Sequence, residues 1–234
     1  MTPSTAAPQE RAHTLPLVLL VLAQVVLFMI PLIVLGSAIG WPASLRLPAA
    51  EALPLIAAKA EAVQLGYWGY LVTAVAMVPL AVALRRHFAS RGANGMINDT
   101  MVAFGVAAAI LKTLGIVRWL TAMPMLALAH GNAADPGRRA AVETAYAALN
   151  GYAGSVGELL GVQLVSGLWM ILVGVLLART DRRAVGIAGA VVGAGFAANA
   201  LRSAVPALEV LSAVMPPVGL AWLLWLAVAL WRSR

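Results

Sequence analysis

The chain has 234 residues, of which 62% are hydrophobic and only 11% charged, with no cysteine and a formal net charge of +7. A soluble domain runs near ~25% charged, so this composition cannot cover a water-facing surface and the excess Leu, Ala and Val must face lipid or other apolar helices. The missing cysteines exclude disulfides, thiolate zinc, iron–sulfur clusters and cysteine nucleophiles, and the basic excess sits in short loops between apolar runs, where it orients a membrane protein rather than binding nucleic acid.

Residues 1–14 form a short polar lead. The first apolar run, 15–38, is longer than the ~7–15 residues of a cleavable leader and is expected to remain as a transmembrane helix bent at Pro31. Cleavage after the small residues Gly36, Ser37 and Ala38 is the alternative. From Gly40 to Leu65 the polar residues Glu51, Lys59, Glu61 and Gln64 interrupt apolar sequence, which predicts an amphipathic helix on the membrane surface, opened by Pro48. The second span is 66–84, with Tyr67, Trp68 and Tyr70 as an interfacial aromatic belt and Arg85, Arg86 and His87 at its other end.

A turn containing Gly92, Asn94 and Gly95 leads to the third span, 100–123, capped by Asp99. After a loop from His130, the pair Asp135–Pro136 supplies a cap and a first helical position, so a polar helix should run to about Asn150. The fourth span, 155–178, continues from it. Arg179, Asp181, Arg182 and Arg183 make a tight turn into the fifth, 184–201. Gly189 and Gly193, and the row Ala190, Ala194 and Ala198, let helix backbones approach closely, which places this span centrally. The sixth span is 210–230, distorted near Pro216 and Pro217 and followed by a tail at 232–234. The expected architecture is therefore all-α: a polytopic bundle of six transmembrane helices, with amphipathic helices on the outer face.

Arg11, Arg85, Arg86, Arg91, Arg179, Arg182, Arg183, Arg232 and Arg234 fall on one side, against Arg46, Lys59, Arg138, Arg139 and Arg202 on the other. The positive-inside rule then puts both termini in the cytoplasm of an inner-membrane protein.

Lys112, Arg118 and Glu158 lie within spans, where each central charge costs ~2.5–3.5 kcal/mol on insertion scales. Arg118 and Glu158 sit at similar depth from the outer ends of spans three and four, which predicts an ion pair. Lys112 lies about 9 Å deeper and about 120° around the helix, where Gln163 and Gln24 are its expected polar neighbours. In one long helix, Glu143, Tyr146, Asn150, Gly154, Glu158 and Gly161 form a stripe. Asn199 and Arg202 could close the cavity. The ligand-binding candidates are Arg118, Asn150, Glu158, Asn199 and Arg202, with Lys112 at the floor. An ion pair that only specifies helix packing is the competing structural reading, and Trp222 and Trp225 read as ordinary residues of span six.

No HExxH, GxSxG, P-loop or paired-acid motif occurs, and His13, His87 and His130 lie at or beyond membrane ends, which excludes a haem held by two mid-membrane histidines. No metal or cofactor is expected.

The segments Asn150-Gly-Tyr152-Ala-Gly154 and Gly157-Glu158-Leu159-Leu160-Gly161, with Trp169 and the pair Arg118-Trp119, resemble a pattern in a bacterial membrane family known as domain of unknown function 4386. The resemblance covers most of the chain and implies a six-helix membrane architecture, with no established activity to carry over. In that family a histidine often follows the glutamate. Here the position is Leu159, which counts against a metal site or proton relay.

The leading reading is a non-enzymatic protein that binds or moves a small anionic or zwitterionic molecule, or a lipid headgroup, in an outward-facing polar cavity. The first alternative is an intramembrane enzyme with Glu158 as acid or base, and the second a structural or assembly subunit without ligand. Expected partners are the lipid bilayer, a small-molecule or lipid ligand, and a second copy or another membrane subunit, with no nucleic acid.

Overall fold

The computed structural model describes residues 6–180 and 182–232, and within them every regular element is helical. In order these are α1 (Ala6–Ile39), α2 (Ala49–Ala58), α3 (Ala60–Ala89), α4 (Met96–Leu120), α5 (Ala122–Gly131), α6 (Pro136–Gly154), a π-helical segment (Ser155–Val165), α7 (Ser166–Arg179), α8 (Arg183–Asn199) and α9 (Leu211–Trp231). Short 3₁₀ turns occupy Ala43–Arg46 and Pro206–Val210.

Among the described residues, five helical stretches are long and apolar enough to cross a membrane: Thr14–Ile39, Ala60–Ala89, Met96–Gly131, Pro136–Arg179 and Pro206–Trp231. The fifth predicted span folds as α8, which at 17 residues is shorter than these. The stretch Pro136–Arg179 exceeds what a hydrocarbon core of ~30 Å requires at ~1.5 Å per residue. Its first part, α6, carries exposed Arg138 and Arg139.

Several local expectations change. The mixed segment after α1 is two elements, the 3₁₀ turn and α2, and Pro48 is the residue before α2 rather than its first position. α2 buries Ala52, Leu53 and Ile56 and packs on α5 and α6. Asp99 lies inside the first turn of α4, where its carboxylate accepts from Arg85 Nε at 2.8 Å. The helix that carries the third span does not run unbroken to Met123. Pro124 has no N–H to give the Leu120 carbonyl, so the helix breaks at Thr121 (φ −125°, ψ −74°) and resumes as α5. Gln64 Nε2 donates to the orphaned Leu120 oxygen at 3.3 Å. α6 begins with Asp135 Oδ1 accepting the Arg138 N–H at 2.9 Å, ahead of Pro136.

The chain divides into two compact units. The first holds α1 as far as Val25, Ala76–Ala109, and the chain from Leu159 onward. Its core includes Val21, Leu80, Met101, Val173 and Leu226. α8 lies between α7 and α9 here. A Cβ at Gly167 would stand 2.6 Å from the Gly193 carbonyl oxygen, and one at Gly174 2.5 Å from that of Gly186, so α7 and α8 meet backbone to backbone. Gly189 lies under the Trp222 ring, whose Nε1 donates to Val185 O at 3.1 Å. The second unit comprises Val26–Val75 and Ile110–Glu158, with Leu35, Leu53, Tyr67, Trp119, Met123 and Tyr146 in its core.

Replacing Gly174 by Val should cost at least the ~1–3 kcal/mol of ordinary overpacking, because the obstacle is backbone that cannot change rotamer. Gly151, in α6 with nothing near its absent Cβ, should gain about 0.5–1 kcal/mol on substitution by Ala. Thermal unfolding of the detergent-solubilised protein measures both. A harmless G174V would refute the backbone-to-backbone packing.

Candidate functional site

The second unit contains a buried guanidinium. Arg118 is 8% exposed, near the end of α4. Removing such a cation from water costs several kcal/mol, so its donors need acceptors. Nη1 donates to Gly115 O at 2.9 Å and Nη2 to Asn150 Oδ1 at 3.2 Å. Both acceptors are neutral. Asn150 in turn donates through Nδ2 to Leu45 O at 3.1 Å, fixing its amide orientation and tying α6 to the turn after α1. The guanidinium carbon also lies 5.5 Å from the Trp119 ring centroid, a contact of the cation–π kind.

Small residues make this arrangement reachable. A Cβ at Gly154 would sit 3.2 Å from Arg118 Nη2, so glycine leaves space for the guanidinium. A Cβ at Gly157 would come within 2.7 Å of Gly115 Cα, and one on Gly115 would strike Gly157 in turn. α4 and the start of the π segment therefore cross with backbones in contact, one turn from Arg118. Glu158 follows immediately, half-buried, in the first turn of that segment. A π-helix is uncommon, and its turns are frequent at functional sites. Glu158 and Arg118 act on one another electrostatically, as Tyr67, Tyr70 and Tyr146 also do on Arg118.

Tyr67 and Tyr146 complete the group. Each is 2% exposed. Tyr67 stacks on Trp119 with centroids 4.7 Å apart and planes inclined by 8°. The hydroxyls of Tyr67 and Tyr146 and the Nε of Arg118 find no hydrogen-bond partner among the described residues. Three buried polar groups around one cation are left unsatisfied, whereas buried polar groups ordinarily have partners.

The stripe along α6 faces this group from one side. Tyr146, Asn150 and Gly154 carry it, and one turn earlier Glu143 Oε1 meets His130 Nε2 at 2.9 Å, joining α6 to α5. Lys112 is half-buried on α4, two turns before Arg118. Asn199 and Arg202 lie in the first unit and have partners there. Ser212 Oγ donates to Asn199 Oδ1 at 3.2 Å, and Arg202 Nε stands 3.6 Å from Glu209 Oε2. Gln24 and Gln163 also belong to that unit. No cluster of three His, Asp or Glu suited to a metal occurs among the described residues.

The aromatic belt expected of the second span is not what the structure shows. Trp68 is exposed, but Tyr67 is buried against Trp119, and Tyr70 joins Phe28 and Trp41 in an edge-to-face group with centroids 5.7–6.1 Å apart. Tyr67 was therefore missed as a site residue. The three- and four-residue spacing from Glu143 onward was the signal that pointed to Tyr146.

These features define a polytopic, all-α membrane protein with a buried cationic and phenolic site. The chain belongs to the family described as Domain of unknown function (DUF4386), whose model matches residues 18–231. No curated protein and no solved structure matches it.

Asn150→Ala removes the acceptor for Arg118 and the donor to Leu45, and should cost about 1–3 kcal/mol. Asn150→Asp keeps an acceptor for the guanidinium and should recover part of the loss in the same unfolding assay. Equal stability of N150A and the unmodified protein would remove Asn150 from the site.

Proposed function

We propose that this protein sits in the inner membrane with six spans and both termini in the cytoplasm, and binds or moves a small anionic or zwitterionic molecule, or a lipid headgroup, at the site around Arg118. The observation that carries the reading is the set of buried donors without acceptors among the described residues: Arg118 Nε, Tyr67 Oη and Tyr146 Oη. A buried donor left unsatisfied costs about 1–3 kcal/mol, which a ligand bearing carboxylate or phosphate oxygens would recover on binding. Glu158 adds a carboxylate that suits an ammonium group on the same ligand, the zwitterionic case. Catalysis with Glu158 as acid or base is the second reading, and the π turn at that residue favours it.

Mass spectrometry of small molecules extracted from the purified protein tests the binding reading. An anionic or zwitterionic compound should accompany the unmodified chain and be lost from Arg118→Ala. Tyr67→Phe should leave the ligand-stripped protein as stable or more stable, since it deletes an unsatisfied hydroxyl. It should also weaken the ligand by about tenfold, the equivalent of ~1.4 kcal/mol. A Tyr67→Phe protein destabilised by more than a kilocalorie without ligand would mean that the hydroxyl serves the fold. A Glu158→Gln protein that still binds but no longer turns the compound over would favour the enzyme.

The topology rests on the excess of Lys and Arg on one side of the spans. The chain has no cysteine, so single cysteines report sidedness directly. With α8 crossing the membrane, an impermeant maleimide added to whole cells should label Ser203→Cys and spare Arg179→Cys. Labelling of both or neither would mean that α8 does not cross.

A further inference from the structure

A cavity of about 390 Å³ opens in the first unit, between the α3–α4 turn and the end of α7. Its walls include Arg91, Asn94, Ile97, Asn98, Arg179 and Thr180. We propose that it binds a phosphate ester, and specifically the headgroup of a membrane phospholipid, with the phosphate between Arg91 and Arg179 and a headgroup hydroxyl or ammonium on Asn98 Oδ1.

Charge is the first argument. Both arginines contribute cationic groups, and the cavity also receives the N-terminal residues of the 25-residue helix α4, whose dipole adds partial positive charge. The nearby acid, Asp99, is already paired with Arg85 at 2.8 Å and does not offset them. Asp181, next to the α7 end in sequence, lies outside the described residues. Arg91 Nη1 rests against the His87 ring, 2.9 Å from Nδ1 and 3.0 Å from Nε2, which holds one end of the guanidinium in place.

The second argument is independent of charge. Asn98 is 3% exposed. Its Nδ2 donates to Arg85 O at 3.1 Å, which settles the amide orientation and leaves Oδ1 as an acceptor that finds no partner among the described residues. The cavity thus has arginines in its wall for an anion, and Asn98, also in the wall, holds an unpartnered acceptor that a ligand donor reaches once the amide edge is uncovered. Inorganic phosphate at neutral pH keeps a P–OH donor of its own, so the acceptor by itself does not separate it from an ester. A glycerol or ethanolamine headgroup supplies both halves. Position then favours a lipid over a soluble ester, because Arg91 and Arg179 stand just beyond the apolar runs of α3 and α7, and Met96 leaves an apolar side chain 82% exposed at the rim. Basic pockets between spanning helices at headgroup depth take anionic lipids.

The full-length protein, delipidated in a neutral detergent, should be titrated with dihexanoyl phosphatidylglycerol, with glycerol 1-phosphate and with inorganic phosphate. Thermal stability and native mass spectrometry are the readouts. The lipid should raise the unfolding temperature and appear as a bound adduct. The double variant Arg91→Gln/Arg179→Gln should weaken it by at least tenfold, the loss of one charge-assisted contact, while Arg138→Gln, a basic change elsewhere, should leave it unaltered. Stabilisation by glycerol 1-phosphate equal to that by the lipid, and lost in the double variant, keeps the phosphate site but overturns the lipid assignment. No response to either ester, or a lipid response unchanged in the double variant, overturns the proposal. The site around Arg118 is intact in every variant, so any response it gives persists in Arg91→Gln/Arg179→Gln, and only the part of the response lost in that variant reports this cavity.

Discussion

A guanidinium away from water keeps its proton, so whatever surrounds it must supply oxygen. Arg118 obtains two contacts from neutral groups, the Gly115 carbonyl and the Asn150 side chain, and a third influence from the field of Glu158. Several close contacts in the second unit border this placement. Gly154 leaves room for the guanidinium, and Gly115 and Gly157 bring two helix backbones into contact beside it. Asn150 reaches across to the Leu45 carbonyl, so one side chain positions both the arginine and the turn after α1. The break at Pro124 frees the Leu120 carbonyl only two residues past Arg118, and Gln64 fills it.

Arg118 and Glu158 come from two helical segments of the second unit and act on each other electrostatically. Two further guanidinium hydrogen bonds go to neutral carbonyl and amide oxygens. The Arg118 Nε, without a partner among the described residues, is the physical basis for reading the site as one for an anion, with the tyrosine hydroxyls as further donors.

The first unit solves a different problem. Lipid gives helices no hydrophobic reason to associate, so close packing must hold them together. Gly167, Gly174, Gly186 and Gly193 let α7 and α8 touch along their backbones, and Gly189 receives the Trp222 ring. Asn199 and Arg202 find Ser212 and Glu209, while Asn98, Arg91 and Arg179 border the cavity.

Membrane class, the positions of the apolar runs and the close backbone contacts of α8 followed from composition and spacing, because lipid tolerates only helices with their backbone bonds satisfied and small residues mark where helices meet. Arg118, Asn150 and Glu158 were legible for a similar reason: a charge or amide within an apolar run has no inexpensive explanation. What the sequence could not decide was which way a side chain turns. Tyr67 and Trp68 are neighbours at the same depth with the same amphipathic chemistry, and only the packing of Trp119 put one in the core and left the other outside. The same holds for Asn199 and Arg202, whose polarity suited the cavity but whose partners lie on α9 and the turn before it. Likewise the π segment at Glu158 belongs to a helix crossing too close for the sequence spacing to reveal, since a change of helical pitch alters no residue, only the direction in which each one points.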